Sequence, residues 1–322
     1  MRIATFKRDT EPRIGIASQD LDGALIDLLA AAELLKRGGG EALDLPRDVM
    51  SLIQAASETD GGYAQIEKAV TRIAADPSLA QARLDTKNIK LCAPLEHPGK
   101  LICLAGNYRA HITESGYTAP QQSDVITQQL FLKPATSIIG DGEEIVLGKN
   151  NVSVGWETEL AVIIGKRGRN IEASAAYNHI FGYTILNDIS ERRLNSQIEN
   201  RRKREMDGFL DWLAGKWFDT FAPCGPWIVT KDEIPDPHNL EIKLTVNGEL
   251  RQQGNTRDMI FSIPEQINYI SSIMTLEPGD IISTGTPAGA GIGGDASLHD
   301  GDELICEIER IGKLRNKVRC ES

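Results

Sequence analysis

From Lys100 onward the chain is a succession of apolar runs of strand length, separated by Gly, Pro and Asp turns. They cover Leu101 to Ala105, Ser137 to Ile139, Glu159 to Ile164, Ile180 to Leu186, Trp227 to Thr230, Glu241 to Val246, Asp280 to Ser283 and Glu303 to Ile308. Such lengths and spacings predict strands. Helices at Ala173 to His179 and Ile263 to Met274, and the charged region Arg192 to Leu213, interrupt them. The expected class is strand-dominated α+β and not a regular βαβ array.

Residues 1–95 read as a separate, smaller α+β domain and 96–322 as the main domain. Arg2 to Phe6 and Arg13 to Ala17 alternate like strands, and Ile26 to Leu35 has helical periodicity, closed by Gly38-Gly39-Gly40. Further amphipathic helices are expected at Asp48 to Ala56 and Tyr63 to Ala75. The stretch Pro94 to Gly99, with two prolines and a glycine, reads as a linker.

A chain of 322 residues with 41% hydrophobic content supports a well-filled core. Its 35 Lys plus Arg against 46 Asp plus Glu give a charge of −11, which argues against nucleic acid or an anionic membrane as a bulk partner. No apolar run approaches the roughly 18 to 20 residues that a membrane span needs, and the first residues show no apolar signal segment. A cytoplasmic location follows as the expectation. The five cysteines are widely spaced, without a Cys-x-x-Cys pair, and are expected to be reduced, mostly buried thiols.

Three acids stand beside these strand-like runs: Glu157 and Glu159 in Trp156-Glu157-Thr158-Glu159-Leu160, and Asp188 in Leu186-Asn187-Asp188-Ile189-Ser190. Desolvating an unpaired carboxylate is costly, so acids at such positions call for a neutralising partner. Residues i and i+2 of a strand share a face, so Glu157 and Glu159 can reach one ion together. Three hard oxygen donors suit Mg²⁺, Mn²⁺ or Ca²⁺ better than Zn²⁺. The competing reading is a set of surface acids at a strand edge.

His111 and Glu114 follow the first main-domain strand at a spacing of i and i+3. On a helix they share a face, where a carboxylate can orient an imidazole; an ordinary solvated helix face has the same pattern. Lys216, between aromatic residues in Gly215-Lys216-Trp217-Phe218, suits a substrate carboxylate or enolate, or else packs its stem on Trp217. The Pro278 to Gly289 segment leaves a strand into a small-residue loop able to hold an anion, but no Gly-Lys-Ser/Thr marks it as a phosphate loop.

Together, Gly106-Asn107-Tyr108-Arg109-Ala110-His111, Phe131-Leu132-Lys133-Pro134, Trp156 to Leu160, Gly182 to Ser190, Lys216 to Trp227, Val246-Asn247-Gly248-Glu249 and Pro278 to Gly289 resemble the fumarylacetoacetate hydrolase family, over roughly Lys100 to Ile311. The resemblance implies a mixed β-roll or β-sandwich catalytic domain with a small N-terminal domain, and a homodimer. It implies Glu157, Glu159 and Asp188 as ligands of Mg²⁺ or Mn²⁺, and His111 and Glu114 as the dyad that activates water or moves a proton. Lys216 matches the family's catalytic lysine and Thr286 the threonine of its Thr-Gly-Thr-Pro loop. Arg109, Lys133 and Arg192 are candidates for substrate contact. The implied substrate is a small anionic 2-oxo acid or β-dicarbonyl. The leading expectation is hydrolysis of a C–C bond in an acylpyruvate-like compound through an enolate. Isomerisation, decarboxylation, hydration or lyase chemistry on 2-oxo or 2-hydroxy-diene dicarboxylates is the alternative. One departure is local: after Asp188 the chain reads Ser190-Glu191-Arg192-Arg193-Leu194-Asn195, keeping the family's arginine but not its Asp and Gln.

Overall fold

A computed structural model describes residues 1–8, 11–17, 24–37, 46–58, 71, 76–121, 125–291 and 296–321. Apart from Thr71, the helix expected at Tyr63 to Ala75 lies outside the described residues, as does the triple glycine.

The fold is α+β. Its larger sheet has the strand order Arg83–Asp85, Ala24–Asp27, Glu11–Ala17, Arg2–Arg8, Ala222–Thr230, Ile180–Asn187, Thr158–Ile164, Ile281–Ser283, Leu101–Ala105 and Gln129–Lys133, with Lys90–Cys92 and Ile138–Ile139 pairing off this path. A second sheet of five strands runs Glu249–Asn255, Glu241–Val246, Glu303–Ile308, Gly312–Cys320 and Glu144–Leu147. The strands of residues 1–95 continue the large sheet, because Arg2 and Ile3 pair with Val229 and Ile228.

Burial on both faces explains the unbroken apolar runs at the sheet centre. Thr158–Ile164 and Ile180–Asn187 are buried along their whole length. Leu160, Val162 and Ile164 join the core shared with Ile242, Leu244, Leu304, Ile308 and Leu314 of the second sheet. Ala161 and Ile163, on the opposite face, join a second core with Leu28, Ala31, Leu52 and Ile53 of the N-terminal helices. Each Leu, Ile or Val among them contributes about 1.5–3 kcal/mol by leaving water.

Several elements differ from the sequence reading. Ala24–Asp27 is a strand and the following helix is Leu28–Arg37, because the buried Asp27 carboxylate accepts the Ala30 N–H at 3.1 Å and so starts the helix there. Ala173–His179 is a 3-10 helix, not an α-helix, and Ser137 belongs to a 3-10 turn before the two-residue strand Ile138–Ile139. The Pro94 to Gly99 stretch is irregular but packed, with Leu95 and Pro98 buried.

Candidate metal and acid–base site

The strand Thr158–Ile164 fixes Glu159 at the sheet centre, and Ile180–Asn187 delivers Asp188 just beyond its end. Backbone bonds bring the third acid alongside: the Asp188 N–H donates to Glu157 O at 2.8 Å, and the Glu157 N–H to Asn187 Oδ1 at 2.9 Å. All three carboxylates are buried, and one oxygen from each lies within 4.8 Å of the others.

Positive groups surround two of them. Lys216 Nζ donates to Glu157 Oε2 at 2.8 Å and to Asp188 Oδ2 at 2.6 Å. Lys133, with a fully buried side chain, donates to Asp188 Oδ1 at 2.6 Å and to the Ile189 carbonyl at 3.0 Å. Arg192 Nη2 donates to Glu157 Oε1 at 2.6 Å and to the Ala290 carbonyl at 3.2 Å. Glu159 has a different shell: its Oε2 accepts from Ser283 Oγ at 2.5 Å and from the Gly285 N–H at 2.8 Å, both neutral donors.

The electrostatics follow from these partners. Burial pushes the Glu157 carboxyl up, but Arg192, Lys216 and His111 together hold it well below the usual range. Burial and the neighbouring Asp188 and Glu157 charges push Glu159 up to about 8. Burial lowers Lys216, and the Asp188 and Glu157 carboxylates more than offset it, so the ammonium is retained. Glu159 is thus the acid whose charge the protein compensates least. An all-oxygen triad of this span, with one under-compensated member, fits a hard divalent cation such as Mg²⁺, Mn²⁺ or Ca²⁺.

The candidate acid–base group comes from the other side. Strand Leu101–Ala105 ends at Gly106, whose φ of +64° turns the chain, and the helix Arg109–Glu114 follows. Asn107 ties this turn to distant loops, donating through Nδ2 to the carbonyls of Thr284 at 2.7 Å and Phe261 at 3.1 Å. His111 then stands with Nε2 at 3.9 Å from Glu157 Oε1 and Nδ1 at 3.7 Å from Glu114 Oε2. These separations exceed a hydrogen bond. Burial, opposed by Glu157 and helped by Arg192 and Lys216, pulls the imidazole below its ordinary pKa, toward the neutral form of a base. Glu114 itself accepts the Gly289 N–H at 2.8 Å and so anchors the helix to the loop at Gly289.

That loop is where the site's elements converge. Trp156 Nε1 donates to the Gly289 carbonyl at 2.9 Å, and Arg192 reaches the adjacent Ala290 carbonyl. A Cβ on Gly289 would lie 2.1 Å from the Arg251 carbonyl at a φ of +93°, so glycine is required there.

Eight of the ten residues singled out from sequence thus form one cluster: Glu157, Glu159, Asp188, His111, Glu114, Lys216, Lys133 and Arg192. Thr286 is adjacent, but its hydroxyl donates to Thr158 O at 2.9 Å and accepts from Gln252 Nε2 at 2.8 Å, so both functions are engaged within the protein. The Arg109 guanidinium has no hydrogen-bond or ion-pair partner among the described residues. Ser283, Gly285, Asn187, Asn107 and Gln252 were not singled out. Ser283 and Gly285 lie in the small-residue segment already noted, whereas Gln252 sits in a strand with no apolar run to mark it.

Comparisons with known proteins place the chain in a family. The family model for the C-terminal domain of fumarylacetoacetate hydrolase matches residues 100–319. An uncharacterised protein of Pyrococcus abyssi is 50% identical over 224 residues, 70% of this chain and 92% of its own length. A mitochondrial oxaloacetate tautomerase of Bos taurus is 36% identical over 99% of this chain and 91% of its own. Maleylpyruvate hydrolase from Sphingobium sp. SYK-6, solved in complex with manganese(II) ion and pyruvate, matches over 100% of both chains with a TM-score of 0.72 and 31% identity. Fumarylacetoacetate hydrolase from Exiguobacterium antarcticum matches over the same 100% of both with a TM-score of 0.75 and 31% identity.

Proposed function

The chain belongs to the fumarylacetoacetate hydrolase family of enzymes, and from that premise we propose that it interconverts the keto and enol forms of a small 2-oxo dicarboxylic acid such as oxaloacetate. The observation that carries this reading is the state of Glu114. Its carboxylate is bonded to the Gly289 N–H at 2.8 Å while His111 Nδ1 stands 3.7 Å away, which leaves His111 as a single base of lowered pKa. One base is enough for tautomerisation: His111 takes the proton from the carbon next to the carbonyl and returns it to the oxygen, with no net use of water. Similarity to an oxaloacetate tautomerase over 99% of this chain supports the same choice.

In this reading Glu157, Glu159 and Asp188 hold a Mg²⁺ or Mn²⁺ ion, with Ca²⁺ as a further occupant. When bound, the ion supplies Lewis-acid polarisation of the substrate's oxygens. Lys216 gives positive charge to the oxygen that becomes anionic as the proton leaves carbon, and the cationic surroundings favour an acidic substrate. Arg109, free of protein partners among the described residues, is available for a substrate carboxylate. Thr286 acts through the loop that its hydroxyl pins to Thr158 and Gln252, and not by contact with substrate.

The second reading is hydrolysis of a C–C bond in an acylpyruvate, supported by the likeness to maleylpyruvate hydrolase over the whole chain. There Glu114 turns from Gly289 to His111, and the pair activates water. The division at residue 95, a homodimer and a cytoplasmic location belong to the same proposal. One experiment separates the two reactions. With Mn²⁺ present, the enol of oxaloacetate is followed by its ultraviolet absorbance, and pyruvate release from acylpyruvates by a coupled dehydrogenase. Enol decay faster than in buffer, without pyruvate release, is the expected result; pyruvate release with no effect on the enol sinks tautomerisation and establishes hydrolysis.

A further inference from the structure

Three cations contact the acids, and they are not equivalent. Lys133 holds one oxygen of Asp188 and also the Ile189 carbonyl. Arg192 holds one oxygen of Glu157 and also the Ala290 carbonyl. Lys216 alone bridges two acids, at 2.8 Å from Glu157 Oε2 and 2.6 Å from Asp188 Oδ2, and its ammonium has no further oxygen acceptor among the described residues. Its other neighbours are aromatic: the ring centroids of Phe131 and Trp212 lie 5.1 Å and 5.9 Å from Nζ.

Charge balance makes this difference matter. Two of the three carboxylates, Glu157 and Asp188, already face Lys133, Lys216 and Arg192, so a divalent ion in the triad places two further positive charges beside groups that cannot lose theirs without cost. An ion at about 2.0–2.6 Å from the acid oxygens competes most directly with the group that bridges two of them. Lys133 and Arg192 stay tied to backbone carbonyls. Lys216 is tied by the acids alone, and the faces of Phe131 and Trp212 hold an ammonium without needing an oxygen.

We propose that Lys216 is an internal counter-ion that competes with the divalent ion for Glu157 and Asp188 and is released by it toward the substrate's anionic oxygen, while Lys133 is a positioning residue that keeps Asp188 oriented for the ion. The inference rests on the reading of the triad as an ion site. Ion loading then arms the lysine: one event fills the triad and frees the ammonium that the substrate needs.

The two lysines therefore have opposite effects on ion affinity. Mn²⁺ binding to the full chain is measured by titration calorimetry at fixed pH and ionic strength, with folding checked by circular dichroism. Lys216→Met and Lys216→Gln bind Mn²⁺ about tenfold more tightly than wild type or better, and Lys133→Met about tenfold more weakly. Folded Lys216 variants that bind no more tightly than wild type overturn the competition, and a Lys133→Met variant that binds as tightly as wild type overturns the positioning role. Amine labelling of the wild-type chain, read by peptide mass spectrometry, needs no variant: saturating Mn²⁺ raises labelling of Lys216 and leaves Lys133 unchanged, and an unchanged Lys216 overturns the release. If neither wild type nor any Lys216 variant binds Mn²⁺, the ion site itself fails. If wild type binds and the Lys216 variants gain nothing, only the counter-ion role falls.

Discussion

Glu159 and Asp188 are set by strands buried along their whole length, whereas His111 is carried by a six-residue helix, Arg109–Glu114, with no fully buried residue. The acids are held by ammonium, guanidinium, hydroxyl and backbone donors at 2.5–2.8 Å. The imidazole has no bond of that length, and its Nδ1 is a buried atom without a hydrogen-bond partner. Its helix is moored through Asn107 at one end and the Glu114–Gly289 bond at the other. In the proposed function the contrast separates two tasks: an ion site benefits from preorganised donors, while a base that moves a proton needs a side chain free to approach substrate.

Substitutions on the two sides should therefore fail differently. The largest effect belongs to Glu157→Ala, which leaves Arg192 and Lys216 buried without this partner. It should lose about 3–5 kcal/mol of stability by denaturant titration, and its Mn²⁺ affinity should be abolished. A Glu157→Ala variant that binds Mn²⁺ as wild type does would remove Glu157 from the ion site. Next is His111→Ala, whose turnover should fall by about 10²- to 10⁴-fold while Mn²⁺ affinity stays within about threefold, measured on one preparation. A parallel loss of both would mean that the two sides are not separable.

Ser283→Ala removes the hydroxyl on Glu159 and should weaken Mn²⁺ by about tenfold, with little effect on the pH profile of turnover. The smallest effect distinguishes the roles of Glu114. Glu114→Gln keeps an acceptor for the Gly289 N–H and should retain turnover within about threefold, whereas Glu114→Ala loses about tenfold. If glutamine is as damaging as alanine, the negative charge beside His111 is the requirement and the anchoring role is secondary.

The acid side was the more legible from sequence for the same physical reason that makes it rigid. Carboxylates beside unbroken apolar runs are anomalous, and strand periodicity alone puts Glu157 and Glu159 within reach of one ion. The helix bearing His111 was legible only as a spacing, since i and i+3 also describes a solvated face. Thr286 shows the limit of motif reading: its place in the chain marks the loop correctly, but which way the hydroxyl turns depends on Thr158 and Gln252, far away in sequence. Among strands, Gly312–Cys320 and Glu249–Asn255 escaped notice because they contain no apolar run. Leu314, Asn316 and Val318 alternate with exposed charged residues, and Glu249–Asn255 buries only Gln252. Alternation with sparse apolar positions is a weak signal beside the doubly buried centre of the large sheet.

The pairing of Arg2–Arg8 with Ala222–Thr230 also has a temporal side. The first strand leaves the ribosome long before its neighbour, so the large sheet cannot close until most of the chain exists. Pairings between such distant segments are slow to form. The strand bearing Glu159 lies between Ile180–Asn187 and Ile281–Ser283, and the Ser283 hydroxyl that steadies it arrives with the later of these. The shell of donors around Glu159 is thus complete only once that strand has docked.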